Sequence, residues 1–168
     1  DPKLKGKICS RPGSHVYNRA LMASIIAAKG ADDAEKWAKG LVSNLAKRPQ
    51  GNDRSQLKSI YSGECDVAII NHYYYGKLTY SKNPDHRKWA KASIIVFPNQ
   101  GPGDRGAHVN ISGGGVVKVS KNKDTATKFL EFLVTDEAQI LYGDVNFEYP
   151  INNKSKLPKR LKALGTFK

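Results

Sequence analysis

Three tyrosines in a row, Tyr73, Tyr74 and Tyr75, follow Asn71-His72 at the end of a short apolar run. Another, Tyr17, lies just past the breaker Arg11-Pro12-Gly13, which also ends an apolar run. A phenolate is a hard anionic oxygen donor, and a hard trivalent cation such as Fe(III) suits it better than a softer metal does. A phenol of pKa about 10 ionises at neutral pH only where something stabilises the anion, and a bound cation of high charge does this. Consecutive side chains point to opposite faces of a strand and to different faces of a helix, so the three rings cannot all be core. The same run also fits an aromatic platform, or half-buried rings hydrogen-bonded at their tips.

Other chemistries find less support. His15, His72, His86 and His108 are isolated in sequence, and there is no GxSxG, P-loop, HExxH or Cys/His nucleophile arrangement. No enzyme is expected on this basis. Cys9 and Cys65 form no CxxC pair, which argues against a thiolate metal site or a thioredoxin-type motif. They either pair across neighbouring strands, which favours an oxidising compartment, or remain two buried thiols.

The 168 residues are 39% apolar, too apolar for a disordered chain and enough for one domain or a domain plus a fragment. No window approaches the ~20 uncharged apolar residues of a membrane-spanning helix. Lys and Arg number 28 against 15 Asp and Glu, a net charge of +13. Six of these cations, Lys154, Lys156, Lys159, Arg160, Lys162 and Lys168, fall in the last eighteen residues, which hold no acid. A solvated basic surface explains this. A second function class is a nucleic-acid module in which Tyr73, Tyr74 and Tyr75 stack bases and the Lys-rich tail meets phosphate. No nucleic-acid motif accompanies it. The chain opens on Asp1-Pro2 without a start methionine or leader pattern and reads as processed or cut.

The elements that must position the tyrosines follow from periodicity and breakers. Residues 7–10 and 65–70 read as strands, and so do 93–97, 108–111 and 116–119. Ser14 is a candidate cap for a helix running to Gly30; further helices are expected from Asp32 to Lys47 or Arg48, over 53–61, 124–135 and 137–142, and around Leu157, Leu161 and Leu164. Helices alternating with short buried strands make an α/β protein with a mainly parallel sheet of four or five strands. Ligands of such sheets bind at the carboxyl ends of the strands. If 7–10 and 65–70 share a sheet, Tyr17 and the tyrosine run emerge on one rim.

Several blocks carry a wider resemblance: Lys36-Trp37-Ala38-Lys39-Gly40-Leu41-Val42, Pro49-Gln50-Gly51-Asn52-Asp53-Arg54, and the stretch from Gly63 to Asn71. Phe97-Pro98-Asn99-Gln100, His108-Val109-Asn110-Ile111-Ser112-Gly113 and Asn146-Phe147-Glu148-Tyr149-Pro150 continue the series in order. Together they resemble the bacterial periplasmic ferric-iron-binding proteins of ABC-type iron uptake. The resemblance implies a type II periplasmic-binding-protein fold, whose two α/β lobes close on Fe(III) and pass it to a membrane permease. Residues 1–106 then correspond to a C-terminal-lobe-like domain carrying the tyrosines. Residues 107–168 correspond to a return strand between lobes, helices and the basic tail.

The resemblance also implies a ligand set: the family's adjacent tyrosine pair falls on Tyr73 and Tyr74, and its further tyrosine on Tyr17. Tyr75 matches no ligand and is expected to pack. Arg11, Ser14, His72 and Lys77 are candidates for the surrounding shell or for a synergistic anion at the helix N-terminus. Family members carry about a hundred residues ahead of the part matching Asp1, a domain's worth of chain that supplies most of the first lobe and often another iron ligand. An incomplete two-lobe protein, monomeric, periplasmic and not bound to nucleic acid, is the expectation.

Overall fold

The computed structural model describes residues 1–152 and 154–168. The chain divides into two compact units, Asp1–Asn110 with Lys168, and Ile111–Phe167. In the first unit, β1 (Ile8–Ser10) pairs in parallel with β2 (Val67–Ile69), with Ile8 opposite Val67 and Ser10 opposite Ile69. On the other side of β1, Ile8 forms an isolated bridge to Leu45. Around this pair lie α1 (Val16–Lys29), α2 (Ala31–Ser43), α3 (Asp53–Tyr61), α4 (His72–Thr79) and α5 (Pro84–Lys91).

Local signals explain the boundaries. The α1 N-cap is His15, whose Nδ1 accepts the Tyr17 N–H at 3.2 Å, so the expected cap at Ser14 is displaced by one residue. Gly30, with φ of 81°, ends α1 and precedes α2, a conformation that glycine adopts without penalty. The second helix stops at Ser43, short of Lys47, because Leu45 and Ala46 bond β1 instead. A reciprocal capping box between Asn52 and Ser55 starts α3. Neither α4 nor α5 was expected. Asn83 caps α5 and Pro84 supplies its first position, while Leu78 of α4 is fully buried against Leu57 and Ala90.

The sheet has two strands rather than four or five. Residues 93–97, 108–111 and 116–119 are not strands, because among the described residues no backbone lies alongside to complete a ladder. A cavity of about 790 Å³ is lined both by β2 (Val67, Ile69) and by the extended run containing Ile95 and Phe97. Ile94 and Val96 of the same run also line it and are largely exposed. Helix–helix packing therefore carries this unit, and the α/β class stands with a smaller sheet.

The second unit contains α6 (Lys123–Leu133), α7 (Asp136–Asn146) and α8 (Lys159–Lys162). Gln139 of α7 is buried; it accepts the Ile151 N–H at 2.8 Å and donates to the Leu133 carbonyl at 2.7 Å. Burial pushes the Tyr149 phenol up to about 12, and its hydroxyl donates to the Gly165 carbonyl at 2.5 Å. Among the described residues no helix is long and apolar enough to cross a membrane.

Cys9 and Cys65 form a disulfide between β1 and the entry to β2, and both are buried. The bridge closes a loop of sequence separation 56, for which the loop-entropy relation gives about 4 kcal/mol. Urea titration of a Cys9→Ser/Cys65→Ser variant is expected to show a loss of roughly 2–4 kcal/mol. An unchanged midpoint would mean that the strand pair holds without its covalent tie.

Candidate metal centre

The parallel pairing sets the site. Since Ser10 and Ile69 are register partners, the chain leaves both strands at one edge and delivers two helix starts there. The β1–α1 connection is tied by Asn18, whose Nδ2 donates to Ser10 Oγ at 3.0 Å and to the carbonyls of Arg11 at 2.9 Å and Pro12 at 3.3 Å. The β2–α4 connection is tied by Asp53, whose Oδ1 accepts the Asn71 N–H at 2.9 Å. Asn71 occupies the N-cap position of α4 but makes no side-chain cap.

Tyr17, on the first turn of α1, and Tyr73, on the first turn of α4, meet at this edge. The Tyr73 hydroxyl donates to that of Tyr17 at 3.0 Å. The Tyr73 and Tyr74 rings lie 4.5 Å apart at 35°. Tyr75 points the other way: its hydroxyl donates to the Ser93 carbonyl at 3.2 Å and its ring packs on the Leu57–Leu78–Ala90 core. Helical spacing thus separates two rim tyrosines from one core tyrosine.

A cation stands over each rim ring: Arg11 over Tyr17 at 4.9 Å, Lys77 over Tyr73 at 5.5 Å and Arg54 over Tyr74 at 4.9 Å. Such contacts hold both partners in place, more strongly when desolvated. Arg11 is itself buried and pairs with Asp53, Nη1 to Oδ2 at 2.5 Å. Its Nε has no hydrogen-bond partner among the described residues. The His72 ring meets Tyr73 at 5.9 Å and Phe97 at 6.2 Å. Ser14 is exposed and lies outside the cap.

Of the candidate residues, Tyr17, Tyr73, Tyr74, Arg11, His72 and Lys77 come together here, and Ser14 does not join them through any contact described. Sequence reasoning passed over three residues that shape the cluster. His15 caps α1 and lies edge-on to Tyr17 at 4.7 Å. Asp53 and Arg54, in the Asp-Arg pair that opens α3, carry contacts to both tyrosine-bearing segments. From the sequence Asp53 was expected to cap this helix; Asn52 is the cap instead, which leaves the Asp53 carboxylate free to reach Arg11 and Asn71.

Among the described residues no group of three His, Cys, Asp or Glu side chains could hold a metal. The hard donors that converge are phenols. Burial first, then hydrogen bonds with Tyr17 and Tyr74, push the Tyr73 phenol far above its ordinary value. Burial and these hydrogen bonds therefore keep the Tyr73 proton on its phenol.

A sequence model of the family described as bacterial extracellular solute-binding protein matches residues 12–140, and the chain belongs to that family. It is similar to iron uptake protein A1 of Synechocystis sp., with 44% identity over 168 residues, 100% of this chain and 46% of the relative. It also resembles the solved ferric binding protein from Campylobacter jejuni, at 43% identity and TM-score 0.93, covering 100% of this chain and 52% of that one. Trichodesmium IdiA (FutA), solved in complex with iron and citrate ligands, matches at 46% identity and TM-score 0.93 over 100% and 52% of the two chains. The fold is accordingly that of the periplasmic ferric-binding proteins. The chain spans about half the length of the curated relatives it matches.

A phenol whose folded pKa is raised contributes stability that is complete below the unfolded value near about 10 and is lost as pH rises beyond it. Thermal melts at pH 9 and pH 11 are expected to show a smaller alkaline drop for Tyr73→Phe than for the wild type. Equal drops in the two proteins would place the Tyr73 proton outside the stabilising network.

Proposed function

We propose that the chain is the tyrosine-bearing part of a ferric-iron carrier, in which Tyr17, Tyr73 and Tyr74 bind Fe(III) as phenolates. The observation that carries this reading is the meeting of Tyr17 and Tyr73 hydroxyls at 3.0 Å from segments 56 residues apart, with Tyr74 on the same helix turn. Similarity to proteins named for ferric iron binding and iron uptake supports the same cargo.

Three phenolates balance the three charges of Fe(III), which lowers the cost of holding the ion away from bulk water. Loading releases the protons held between the rings, so affinity falls as pH falls. Release follows protonation of the phenolates to phenols, or one-electron reduction of the ion to the softer Fe(II) by an external reductant. Arg11, Lys77 and His72 shape the surroundings of the rings, and a synergistic anion is part of the proposal, with Arg11 as its cationic partner. The carrier is read as a periplasmic monomer that hands iron to an inner-membrane ABC permease and performs no catalysis. Residues 107–168 are read as the return segment, helices and basic tail of the same carrier.

Base stacking by the tyrosines, the nucleic-acid alternative, is not favoured, since one face of each of Tyr17, Tyr73 and Tyr74 is already occupied by a cation. Adding ferric citrate to the purified chain is expected to give a visible phenolate-to-iron charge-transfer band that fades on acidification. The band should be lost in Tyr73→Phe/Tyr74→Phe. No colour in the wild type, or undiminished colour in the double variant, would refute the ligand assignment.

A further inference from the structure

Both tyrosine-bearing segments are held by one buried carboxylate. Asp53, 1% exposed at the start of α3, uses its two oxygens in different directions. Oδ2 pairs with Arg11, whose guanidinium lies over the Tyr17 ring. Oδ1 accepts the backbone N–H of Asn71, two residues before Tyr73. The next residue on the same turn, Arg54, lies over Tyr74. From the first turn of α3, then, a contact runs to the support of every rim tyrosine.

We infer that Asp53 is the positioning residue of the tyrosine cluster: it fixes the Tyr17 oxygen relative to those of Tyr73 and Tyr74 through Arg11 on one side and Asn71 on the other. This rests on the ferric-carrier reading for its functional consequence, although the geometry it describes exists without iron. Only a carboxylate can do it at this position, because it accepts on both oxygens. An asparagine offers one acceptor and one amide donor. If its oxygen keeps the Asn71 N–H, its NH2 faces the Arg11 guanidinium, donor against donor. The Arg11 Nε already lacks a partner, so the guanidinium has little else to hold it over Tyr17. Residues that orient metal ligands in this indirect way typically change metal affinity by 10–100-fold when replaced.

The test compares the wild-type chain with Asp53→Asn, Arg11→Met and the double variant. The double variant leaves no unpaired buried charge, so it stays foldable even if a single replacement does not. Ferric dissociation constants are measured by competition with citrate, following the charge-transfer band. Iron-free protein is examined by NMR for the ring-to-ring contact between Tyr17 and Tyr73. The expected result is a 10–100-fold weaker affinity in each single variant, a shifted band maximum and a weakened ring contact, with cooperative melting retained. Because Asp53 and Arg11 act through one connection, the double variant should bind no more weakly than the worse single one. Wild-type affinity and ring contact in Asp53→Asn, or losses that multiply in the double variant, would overturn the inference. If the wild-type chain takes up no ferric iron, the ligand reading fails, and the iron-free ring contact decides the positioning role alone. Its loss in Asp53→Asn supports that role and its persistence overturns it.

Discussion

The three-residue parallel ladder between β1 and β2 is the constraint from which the site follows. Its register puts Ser10 beside Ile69, so two segments far apart in sequence leave the sheet at the same edge and in the same direction. The Cys9–Cys65 bridge ties the strand pair at that register, which matters for a ladder this short. A one-residue slip would turn every side chain of β2 to the other face and rotate the α4 start away from Tyr17. Each helix then presents its first turn to the rim, where tyrosines from different segments can share a hydrogen bond.

In the proposed reading, the chemistry of the cluster is a competition between protons and a cation for the same oxygens. Burial and neighbouring hydroxyls raise the Tyr73 phenol, so its proton is held firmly. A bound trivalent ion would displace such protons, because its charge at close range exceeds what hydrogen bonds supply. The three cations above the rings leave the cluster surrounded by positive charge. Phenolates formed there would not stand unpaired, and the buried Asp53 offsets one of the cations.

Much of this was legible in the amino-acid order. Strand cores at Ile8–Ser10 and Val67–Ile69, the breakers that follow them, and the helix stops at Gly30 and Gly63 are local signals, whereas the choice of Tyr17, Tyr73 and Tyr74 as a set came from the family resemblance. The three further strands were not recoverable. Alternating runs such as 93–97 have the period of a strand, but a strand exists only with a partner, and the described residues supply none. Helix α4 was hidden because three tyrosines at its start suggest an extended run. What makes it a helix is tertiary: Leu78 reaches the core, and Asp53 satisfies the first free backbone N–H. Asp53 itself reads locally as an acidic first-turn residue. Its partners lie 42 and 18 residues away, a distance over which no periodicity speaks.

The central claim is that the ring oxygens themselves bind the ion. Resonance Raman spectroscopy of the ferric-loaded chain, excited within the visible band, tests it most directly. Enhanced tyrosinate ring vibrations that shift when tyrosine is supplied ring-deuterated are the predicted result. Iron bound to the chain with no such vibrations would mean that other oxygens hold it, and would contradict the account.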